Sequence, residues 1–520
     1  MFSGELLPYQ HEAVDRMCER GKMLVAYDLG LGKTVLTIAA VERLMDEEKI
    51  TEPGLVICLS SLKYQWAAQI KNFTNGTSKA LVIDGTPSER AKQYAEAMDW
   101  RNTGVDYIIM NYEQVTKDLQ QVLKLPRGFV VADEATAIKS FKSQRTKAVK
   151  KLKSPYTFAL TGTPVENGKP EELFSIMQFV DPEVLGRFDI FDTMYIVRNH
   201  FGGVQKYKNL DSLNADLKTA CVRKRQEDPD VAPFLPETIV PEPIWVPMTG
   251  ANKKLYEEIV ADLLADLEEA SGLFGANFSL FDGIGSDPMD EFRGRIMSKL
   301  TAIRMLCDDP YLIRGSANLF NSNKGTEGSQ YASELLDSGK LDRIFKTPKL
   351  DVLKETVINF LSEDPKNKIV IFASFVSMTN IIAKDLMNFG AVTYTGRMNA
   401  KEKESAKIQF QTDPNTRIFI SSDAGGYGVD LPQANLLINY DLPWNAGLAA
   451  QRNGRIRRAS STWSHVVIQD ILMKDSIEER QHAMLKQKLS VASAIIDGEG
   501  ILDGGVTLTV GSLKNFLQNQ

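Results

Sequence analysis

The sequence predicts an α/β protein with two domains, each built on a parallel sheet. Short apolar runs alternate with segments of helical periodicity from about residue 23 to 180 and again from about 350 to 480. This alternation is typical of strands joined by crossover helices, which make the strands parallel. A chain of 520 residues is too long for one hydrophobic core, so about two to four domains are expected.

Both blocks contain apolar runs with the length and composition of buried strands. In the first block these are residues 23–26, 55–59, 80–83, 107–110, 129–132 and 157–160. In the second block they are residues 368–373, 391–394, 417–421, 436–439 and 465–471. We therefore expect two sheets of similar size.

The segment between the two blocks has a different pattern. Helical periodicity marks residues 252–267 and 292–306, whereas residues 271–287 and 314–339 have the Gly, Ser and Asn content of loops. We expect helical insertions here rather than a third sheet, and a C-terminal extension that packs back on the second domain. The expected boundaries are 1–180 for the first domain, 181–345 for the helical protrusions and linker, 346–480 for the second domain and 481–520 for the extension.

Composition argues against several classes of protein. No apolar run reaches the roughly 18 residues of a membrane span, and the N-terminus lacks the pattern of a signal peptide, so a cytoplasmic protein is expected. The four cysteines have no paired spacing and no histidine at ligand distance, which disfavours a disulfide framework or a zinc site. The four scattered histidines make a hydrolase triad improbable.

The charge distribution indicates one local basic surface. Seven lysines and arginines and no acidic residue lie between positions 139 and 153. The other residues therefore carry −13, since the whole chain carries −6 and this run +7. Such a run is suited to a phosphate backbone, although a solvated helix face has the same pattern. The residues are Lys139, Lys142, Arg145, Lys147, Lys150, Lys151 and Lys153.

Residues 28–34, Asp-Leu-Gly-Leu-Gly-Lys-Thr, predict a phosphate loop. They follow an apolar strand and precede a helix, so backbone N–H groups, Lys33 and the Thr34 hydroxyl would surround a polyphosphate. The usual first glycine would fall at position 27, where Tyr27 stands. A plain glycine-rich turn with a solvated lysine is the alternative.

A pair of carboxylates ends the apolar strand at residues 129–132. Asp133 and Glu134 would reach the phosphate loop, because ligands bind at the carboxyl ends of parallel strands. Asp133 would hold Mg²⁺, together with Thr34, and Glu134 would orient and deprotonate a water. The alternative is a helix N-terminus whose acids complement the helix dipole.

Polar groups in the second block complete the candidate site. Arg455 and Arg458, three residues apart on one helix face, would act as arginine fingers when the domains close. The alternative is a surface basic patch. Glycines within 421–432, including Gly428, would let the backbone approach a ligand, and Asp430 would meet a ribose.

Residues 160–167 contain the hydroxyl-rich turn Thr161-Gly162-Thr163, followed by Glu166 and Asn167. The threonines would link the γ-phosphate to the cleft between the domains, although the sequence also suits an ordinary turn.

The ordered set of motifs resembles that of superfamily 2 nucleic-acid motors and, within them, the SNF2 family. Residues 6–10 resemble an adenine-reading Q motif, and residues 57–66 resemble motif Ia of the family. The similarity extends over about residues 5 to 480. Its other segments are 111–113, 160–167, 174–182, 222–224, 303–310, 368–375, 394–397, 422–431 and 444–445.

This resemblance implies two RecA-like lobes with helical insertions between them, which use ATP and Mg²⁺ to move along double-stranded or branched DNA. It implies nucleotide contacts by Gln10, Asp28, Gly30, Gly32, Lys33, Thr34, Gly428 and Asp430, and catalysis by Lys33, Glu134, Arg455 and Arg458. Coupling would involve Thr161, Gly162, Thr163 and Gln451. DNA contacts would involve Ser60, Ser61, Lys63, Asn111, Tyr112, Lys139, Lys142, Arg145, Gly396, Arg397 and Ser421.

Three departures from the family pattern bear on the interpretation. Thr136 stands where the family often has histidine, residues 451–458 resemble the general superfamily form, and no histone-reading appendage is recognisable. These features favour a compact prokaryotic or phage-type translocase, acting as a monomer in recombination, repair or replication. A strand-separating DNA or RNA helicase and an ATP-gated DNA clamp remain alternatives.

Overall fold

The structure is a computed structural model. It describes residues 1–165, 168–198, 204–275, 288–322, 328–344, 346–423, 429–496 and 510–518. The predicted α/β class with two parallel sheets is confirmed.

The first sheet contains the strands expected in the first block and one more. Its strand order is β3-β4-β2-β5-β6-β1-β9, and every pairing is parallel. The outer strand β9 comes from the segment between the blocks, and β7 and β8 form a separate antiparallel pair. The strands are β1 (Lys22–Tyr27), β2 (Gly54–Cys58), β3 (Lys79–Val82), β4 (Val105–Asn111), β5 (Phe129–Asp133), β6 (Tyr156–Leu160), β7 (Ile196–Arg198), β8 (Val204–Tyr207) and β9 (Cys221–Lys224).

The second sheet likewise gains strands that were not predicted. Its order is β10-β16-β15-β12-β14-β13, all parallel, with β11 pairing farther along β16. Strands β10 and β11 have three residues each, too few to show a period in the sequence. The strands are β10 (Glu237–Ile239), β11 (Ile244–Val246), β12 (Ile369–Phe372), β13 (Ala391–Tyr394), β14 (Ile418–Ser421), β15 (Leu436–Asn439) and β16 (His465–Met473).

Helices cover both faces of each sheet, and a helical cluster lies between the two sheets in sequence. The helices before the second block are α1 (Pro8–Arg20), α2 (Lys33–Asp46), α3 (Lys63–Phe73), α4 (Pro87–Met98), α5 (Trp100–Thr103), α6 (Tyr112–Lys117), α7 (Leu119–Val122), α8 (Gln144–Val149), α9 (Pro170–Val180), α10 (Pro182–Leu185), α11 (Phe188–Tyr195), α12 (Leu210–Leu217), α13 (Gly250–Phe274), α14 (Pro288–Asp308), α15 (Tyr311–Asn321) and α16 (Gln330–Asp337). Those that follow are α17 (Pro348–Glu363), α18 (Val376–Asp385), α19 (Ala400–Thr412), α20 (Ala446–Asn453), α21 (Ile477–Ile496) and α22 (Val510–Gln518).

One expectation about the segments outside the sheets was wrong. Most of the expected loop at 314–339 is helical, in α15 and α16, because buried Ala317 and Leu335 pack into the helical cluster. The C-terminal extension packs on two parts of the fold. Leu485 of α21 packs with Leu442 and Leu472 of the second domain. Helix α22 joins the helical cluster through Leu513 and Leu517, and its Lys514 pairs with Glu268 of α13. Of the other expected loop, residues 276–287 lie outside the described residues.

The strand order explains where a site forms. Strands β5, β6 and β1 are neighbours and parallel, so their carboxyl ends lie at one edge of the first sheet. The phosphate loop follows β1, Asp133 ends β5, and Thr161 follows β6. Ligands bind at this edge in open parallel sheets.

Candidate nucleotide site

The phosphate loop connects β1 to the N-terminus of α2. Gly30 and Gly32 have φ angles of 83° and 78°, a left-handed conformation that glycine adopts without steric cost. The Lys33 ammonium donates to the Tyr27 carbonyl at 2.8 Å and to the Asp28 carbonyl at 3.2 Å. The Thr34 hydroxyl lies at the first turn of α2, in the same cavity as Lys33. This geometry suits a polyphosphate at a helix N-terminus.

Tyr27 explains why no glycine is needed at the start of the loop. Its side chain is buried in the core under the sheet, and its hydroxyl donates to the Tyr9 carbonyl at 2.9 Å. Position 27 therefore belongs to strand β1, and the turn begins at Asp28.

Asp28 anchors the loop instead of lining the cavity, which corrects the expected nucleotide contact. Its carboxylate accepts from the Arg223 guanidinium at 2.6 Å and from the Gln226 backbone N–H at 3.1 Å. Both partners follow from the pairing of β9 with β1, which the sequence pattern did not predict. The carboxylate is thereby committed to holding the loop against β9.

The carboxylate pair lies across the cavity from Lys33. Asp133 is buried, with one carboxylate oxygen accepting from Trp66 Nε1 at 2.8 Å and the other from the Glu134 N–H at 2.9 Å. Glu134 has a φ of 49°, a left-handed conformation unusual for a residue with a side chain. The two hydrogen bonds fix the direction of the Asp133 carboxylate at the end of β5.

Burial shifts the ionisation of these groups in opposite directions. It raises the pKa of the Asp133 carboxyl, despite the Trp66 hydrogen bond and the nearby Lys33 cation. It lowers the pKa of Lys33, despite the carboxylates of Glu134 and Asp133. Both shifts reflect the free-energy cost of burying a charged group.

Asp133 and Thr34 fit a magnesium ion by donor chemistry. Mg²⁺ is bound by one or two carboxylates with phosphate oxygens and water, rather than by a cage of protein ligands. An acidic oxygen and a hydroxyl line the same cavity, beside the loop that would hold phosphates. Within the described part of the chain, no group of three or more His, Cys, Asp or Glu residues forms a metal-binding cluster.

Gln10, a residue of α1, lines one side of the cavity. Its carboxamide oxygen accepts from the Leu7 N–H at 2.9 Å, and its amide nitrogen donates to the Leu31 carbonyl at 2.9 Å. A Cβ atom at Gly32 would lie 2.3 Å from that nitrogen, so this glycine permits the close approach. Gln10 therefore joins α1 to the phosphate loop.

Side chains from both domains line this cavity, which has a volume of about 440 Å³. Arg455 and Arg458 of the second domain are buried and lie in it, and Arg458 pairs with Asp430 at 2.5 Å. A Cβ atom at Gly30 would lie 2.7 Å from Arg458 Cδ and Nη1, so the arginine lies directly against the phosphate loop. Gly428 lies outside the described residues, as do Glu166 and Asn167.

The expected coupling turn at residues 161–163 lies beside β1 and the phosphate loop. The Thr161 N–H donates to the Val25 carbonyl at 3.1 Å, and its hydroxyl accepts from the Thr163 N–H at 3.1 Å. A Cβ atom at Gly162 would lie 3.3 Å from Leu29 Cγ, and Gln451 is buried. The turn therefore contacts β1 and the phosphate loop.

The expected DNA contacts divide into exposed and buried residues. Ser60, Ser61, Gly396 and Arg397 are exposed, and Asn111 is half-buried as the N-cap of α6. Three others are buried and bonded within the fold, which corrects their expected direct role. Lys63 bonds the Ile83 carbonyl and Asp84, Tyr112 donates to the Asp133 carbonyl, and Ser421 donates to the Tyr394 carbonyl.

The basic run after β5 is only partly a free surface. Lys142 is exposed, whereas Arg145 pairs with Glu113 at 2.6 Å, and Lys139 lies 4.0 Å from Glu172. Lys147, Lys151 and Lys153 are also exposed. The surface available to phosphates is therefore smaller than the sequence suggests.

Lys150 of this run packs against α9. Its replacement by methionine should raise the free energy of unfolding. Burial and the neighbouring Lys153 cation lower the pKa of Lys150 to about 8, from 10.5 in an unfolded chain. Between these pH values the unfolded state binds more protons, so the free energy of unfolding should rise with pH. Lys150→Met should remove this rise and add on the order of 1 kcal/mol at pH 7, allowing for solvent screening.

Urea unfolding at pH 7 and pH 9.5 measures both effects, with the exposed Lys151→Met as the matched control. An equal rise with pH in the wild-type protein and in Lys150→Met would contradict the assignment.

Three residues that hold this site received no role from the sequence. Trp66 orients Asp133, Arg223 holds Asp28, and Gln226 contacts the phosphate loop. Trp66 lies within the segment that resembles motif Ia, and Arg223 lies within residues 222–224, so the family pattern marked two of them. Gln226 had no signal in the sequence.

Two family models match the chain. The SNF2-related domain matches residues 9–312, and the helicase conserved C-terminal domain matches residues 348–460. In the part of the chain that the structure describes, no helix is long and apolar enough to cross a membrane.

Curated proteins that are similar to this chain share about a quarter of its residues. A Bacillus subtilis (strain 168) protein named as an ATP-dependent helicase/translocase is 25% identical over 508 residues, covering 96% of this chain and 49% of the relative. The ISWI chromatin-remodeling complex ATPase of Saccharomyces cerevisiae is 24% identical over 506 residues, covering 95% and 41%. The chain thus spans less than half the length of these relatives.

The comparison with solved structures found one similar fold at a TM-score above 0.5 and a further match below it. The Hef helicase domain of Pyrococcus furiosus has a TM-score of 0.52 and 17% identity, covering 92% of this chain and 98% of that one. A SWI2/SNF2 ATPase core of Sulfolobus solfataricus in complex with dsDNA has a TM-score of 0.42 and 24% identity, covering 96% and 94%.

Proposed function

This chain belongs to the SNF2-related family, and from that premise we propose that it is a DNA-dependent ATPase that translocates on double-stranded or branched DNA. Its work would be the remodelling of forks, junctions or bound proteins. The observation that carries the proposal is one cavity lined by the phosphate loop and acids of the first domain and by arginines of the second. A site divided in this way turns over only when the two domains meet, which links hydrolysis to domain movement.

Each residue around the cavity has a role that follows from its position. Lys33 and the N-terminus of α2 bind the phosphates, and Asp133 and Thr34 hold Mg²⁺, whose charge stabilises the phosphate oxygens. Glu134, held at the end of β5, orients the attacking water and takes its proton. Arg455 and Arg458 offer positive charge where the transition state accumulates negative charge.

Two observations support duplex DNA as the substrate: the family relationship and the exposed polar and basic side chains on both domains. The yeast relative is named as the ATPase of a chromatin-remodeling complex, and the resemblance of the motifs to SNF2 motors implies duplex DNA. The exposed residues Ser60, Ser61 and Lys142 on the first domain and Arg397 on the second suit backbone contacts that carry no sequence information. Buried Lys63 would support this surface through Asp84 rather than meet DNA itself.

The test is ATP turnover with a panel of duplex, single-stranded, forked, four-way-junction and RNA ligands at one fixed salt concentration, because phosphate contacts depend steeply on salt. We expect duplex or branched DNA to stimulate turnover most. Lys33→Ala and Glu134→Gln should remove turnover and leave DNA binding measurable, since neither side chain belongs to the proposed DNA surface.

Two other outcomes would favour a different function, and a third would contradict the assigned site. Stronger stimulation by RNA or single strands, with separation of a labelled duplex, would favour a strand-separating helicase. ATP-dependent DNA binding without turnover would favour a clamp. Unchanged turnover in Lys33→Ala would contradict the assigned site.

A further inference from the structure

Gln226 joins the phosphate loop to the arginine segment of the second domain. It follows β9 and uses its backbone N–H to hold Asp28. Its side-chain nitrogen donates to the Leu29 carbonyl at 2.8 Å, and its side-chain oxygen accepts from Arg457 Nη1 at 3.0 Å. One carboxamide therefore bonds both domains at once.

Arg457 makes further bonds to the same short segment. Its Nη2 donates to the Gln226 carbonyl at 3.2 Å, and its Nη1 lies 3.2 Å from the Glu227 carboxylate. Its side chain is 12% exposed, whereas that of Glu227 is 69% exposed. The contacts of Arg457 with Gln226 are thus better shielded from solvent than its contact with Glu227.

The neighbour of Arg457 in sequence is Arg458, which lies against the phosphate loop. A Cβ atom at Gly30 would lie 2.8 Å from the Arg457 carbonyl and 2.7 Å from the Arg458 side chain. The backbone at 457–458 and the loop at 29–30 are therefore in close contact, with Gln226 bonded to both. A shift of the Arg457 guanidinium would move the backbone that carries Arg458.

We propose that Gln226 and Arg457 are positioning residues for ATP hydrolysis. The pair sets the position of Arg458 relative to the phosphate loop when the domains meet. This inference rests on the proposed function, since it assigns a role within the same ATP site. Gln226 and Arg457 contact residues of the cavity lining but are not themselves among the residues that line it, and neither belongs to the proposed DNA surface.

Position 226 requires a side chain that both donates and accepts a hydrogen bond, as glutamine does. The carboxamide donates to a carbonyl of the first domain and accepts from a guanidinium of the second. Glutamate would keep the acceptor for Arg457 but lose the donor to Leu29, whereas alanine would lose both. Lysine at position 457 would keep the charge but lose the planar fork of donors.

A double-mutant cycle tests the pair through kcat and the KM for ATP, with saturating DNA. Gln226→Ala and Arg457→Ala should each lower kcat about tenfold with little change in KM, and the double variant should lose no more than the worse single one. Gln226→Glu and Arg457→Lys should fall between the wild type and alanine. Gln178→Ala, which removes a donor to the Gly186 carbonyl at a distance from the site, is the matched control.

Hydrogen exchange without nucleotide or DNA provides a second measurement that does not depend on turnover. Each single alanine variant should speed exchange in peptides covering both residues 28–32 and residues 453–459, since the pair holds the two segments together. Exchange that rises only beside the substituted residue, or kcat losses that multiply in the double variant, would overturn the inference. If the wild-type protein shows no DNA-dependent turnover, the proposed function is wrong. The hydrogen-exchange result would still show whether Gln226 and Arg457 hold the two segments together.

Discussion

Replacing Arg458 with alanine should lower kcat by about 10³-fold or more, because an arginine finger contributes roughly 10³ to 10⁵ in rate. The side chain is 5% exposed and lies against Gly30 of the phosphate loop, although it belongs to the second domain. It pairs with Asp430 at 2.5 Å, which keeps the guanidinium in the cavity. Turnover with saturating duplex DNA measures the loss, and nucleotide affinity measured separately should change far less.

Two further variants make this result specific. Arg458→Lys should retain part of the activity, since it keeps a positive charge but loses the planar pair of donors. Arg187→Ala removes an 80% exposed arginine that pairs with Asp189 in the segment after the first domain, and it should leave kcat unchanged. A kcat for Arg458→Ala within tenfold of the wild type would show that this arginine does not act on the transition state.

The parts of the site that local sequence determines were predictable. Lys33 follows β1 across the short phosphate loop, Asp133 is the last residue of β5, and the carboxyl ends of parallel strands in one sheet meet at one edge. Their proximity therefore followed from the strand pattern and the parallel sheet alone. The assignment of roles to them remains a prediction until turnover is measured.

Roles that depend on distant partners could not be predicted in this way. Asp28 was expected to contact nucleotide, but its partner Arg223 lies 195 positions later, on a strand of four residues. Lys63 was expected to meet DNA, but the fold brings the Ile83 carbonyl and Asp84 beside its ammonium. In each case a charged side chain of a type that usually contacts solvent or a ligand instead forms a hydrogen bond or ion pair within the protein.

The helices α15 and α16 illustrate the same limit for the fold. Their Ser, Asn and Gly content is typical of loops, and their helical state depends on burial against α13 and α14. Ser329 caps α16 by accepting from the Ala332 N–H, a local signal that the composition obscured. Tertiary packing therefore outweighed local propensity in this segment.

A buried cation links the helical cluster to the second sheet. The Lys349 ammonium, on α17, bonds the two carboxylate oxygens of Glu478 at 2.7 and 2.9 Å and lies 3.4 Å from Asp308. It also lies 4.7 Å from the ring centroid of Tyr440, whose hydroxyl donates to the Asp308 carbonyl. Helices α14, α17 and α21 and the end of β15 thus meet around one lysine.

Lys349→Met should lower the free energy of unfolding by about 3 to 5 kcal/mol, the usual cost of removing one partner from a buried ion pair. Burial opposes the charge on Lys349, but the Glu478 and Asp308 carboxylates outweigh it, and the pKa of the amine is raised. Burial also raises the pKa of Asp308 well above its ordinary value, with a further contribution from Asp441. Methionine would leave two acids buried without a cation, and urea unfolding measures the cost.

The dependence on pH distinguishes lost charge from lost packing. Protonation neutralises the uncompensated acids, so the destabilisation by Lys349→Met should be smaller at pH 5 than at pH 8. Adding Glu478→Gln should recover part of the loss, since one buried charge is removed. Lys346→Met, at a 45% exposed lysine paired with Asp351, should cost at most about 1 kcal/mol. An equal loss at both pH values would contradict this account, because methionine retains most packing contacts of the lysine stem and only the loss of charge depends on pH.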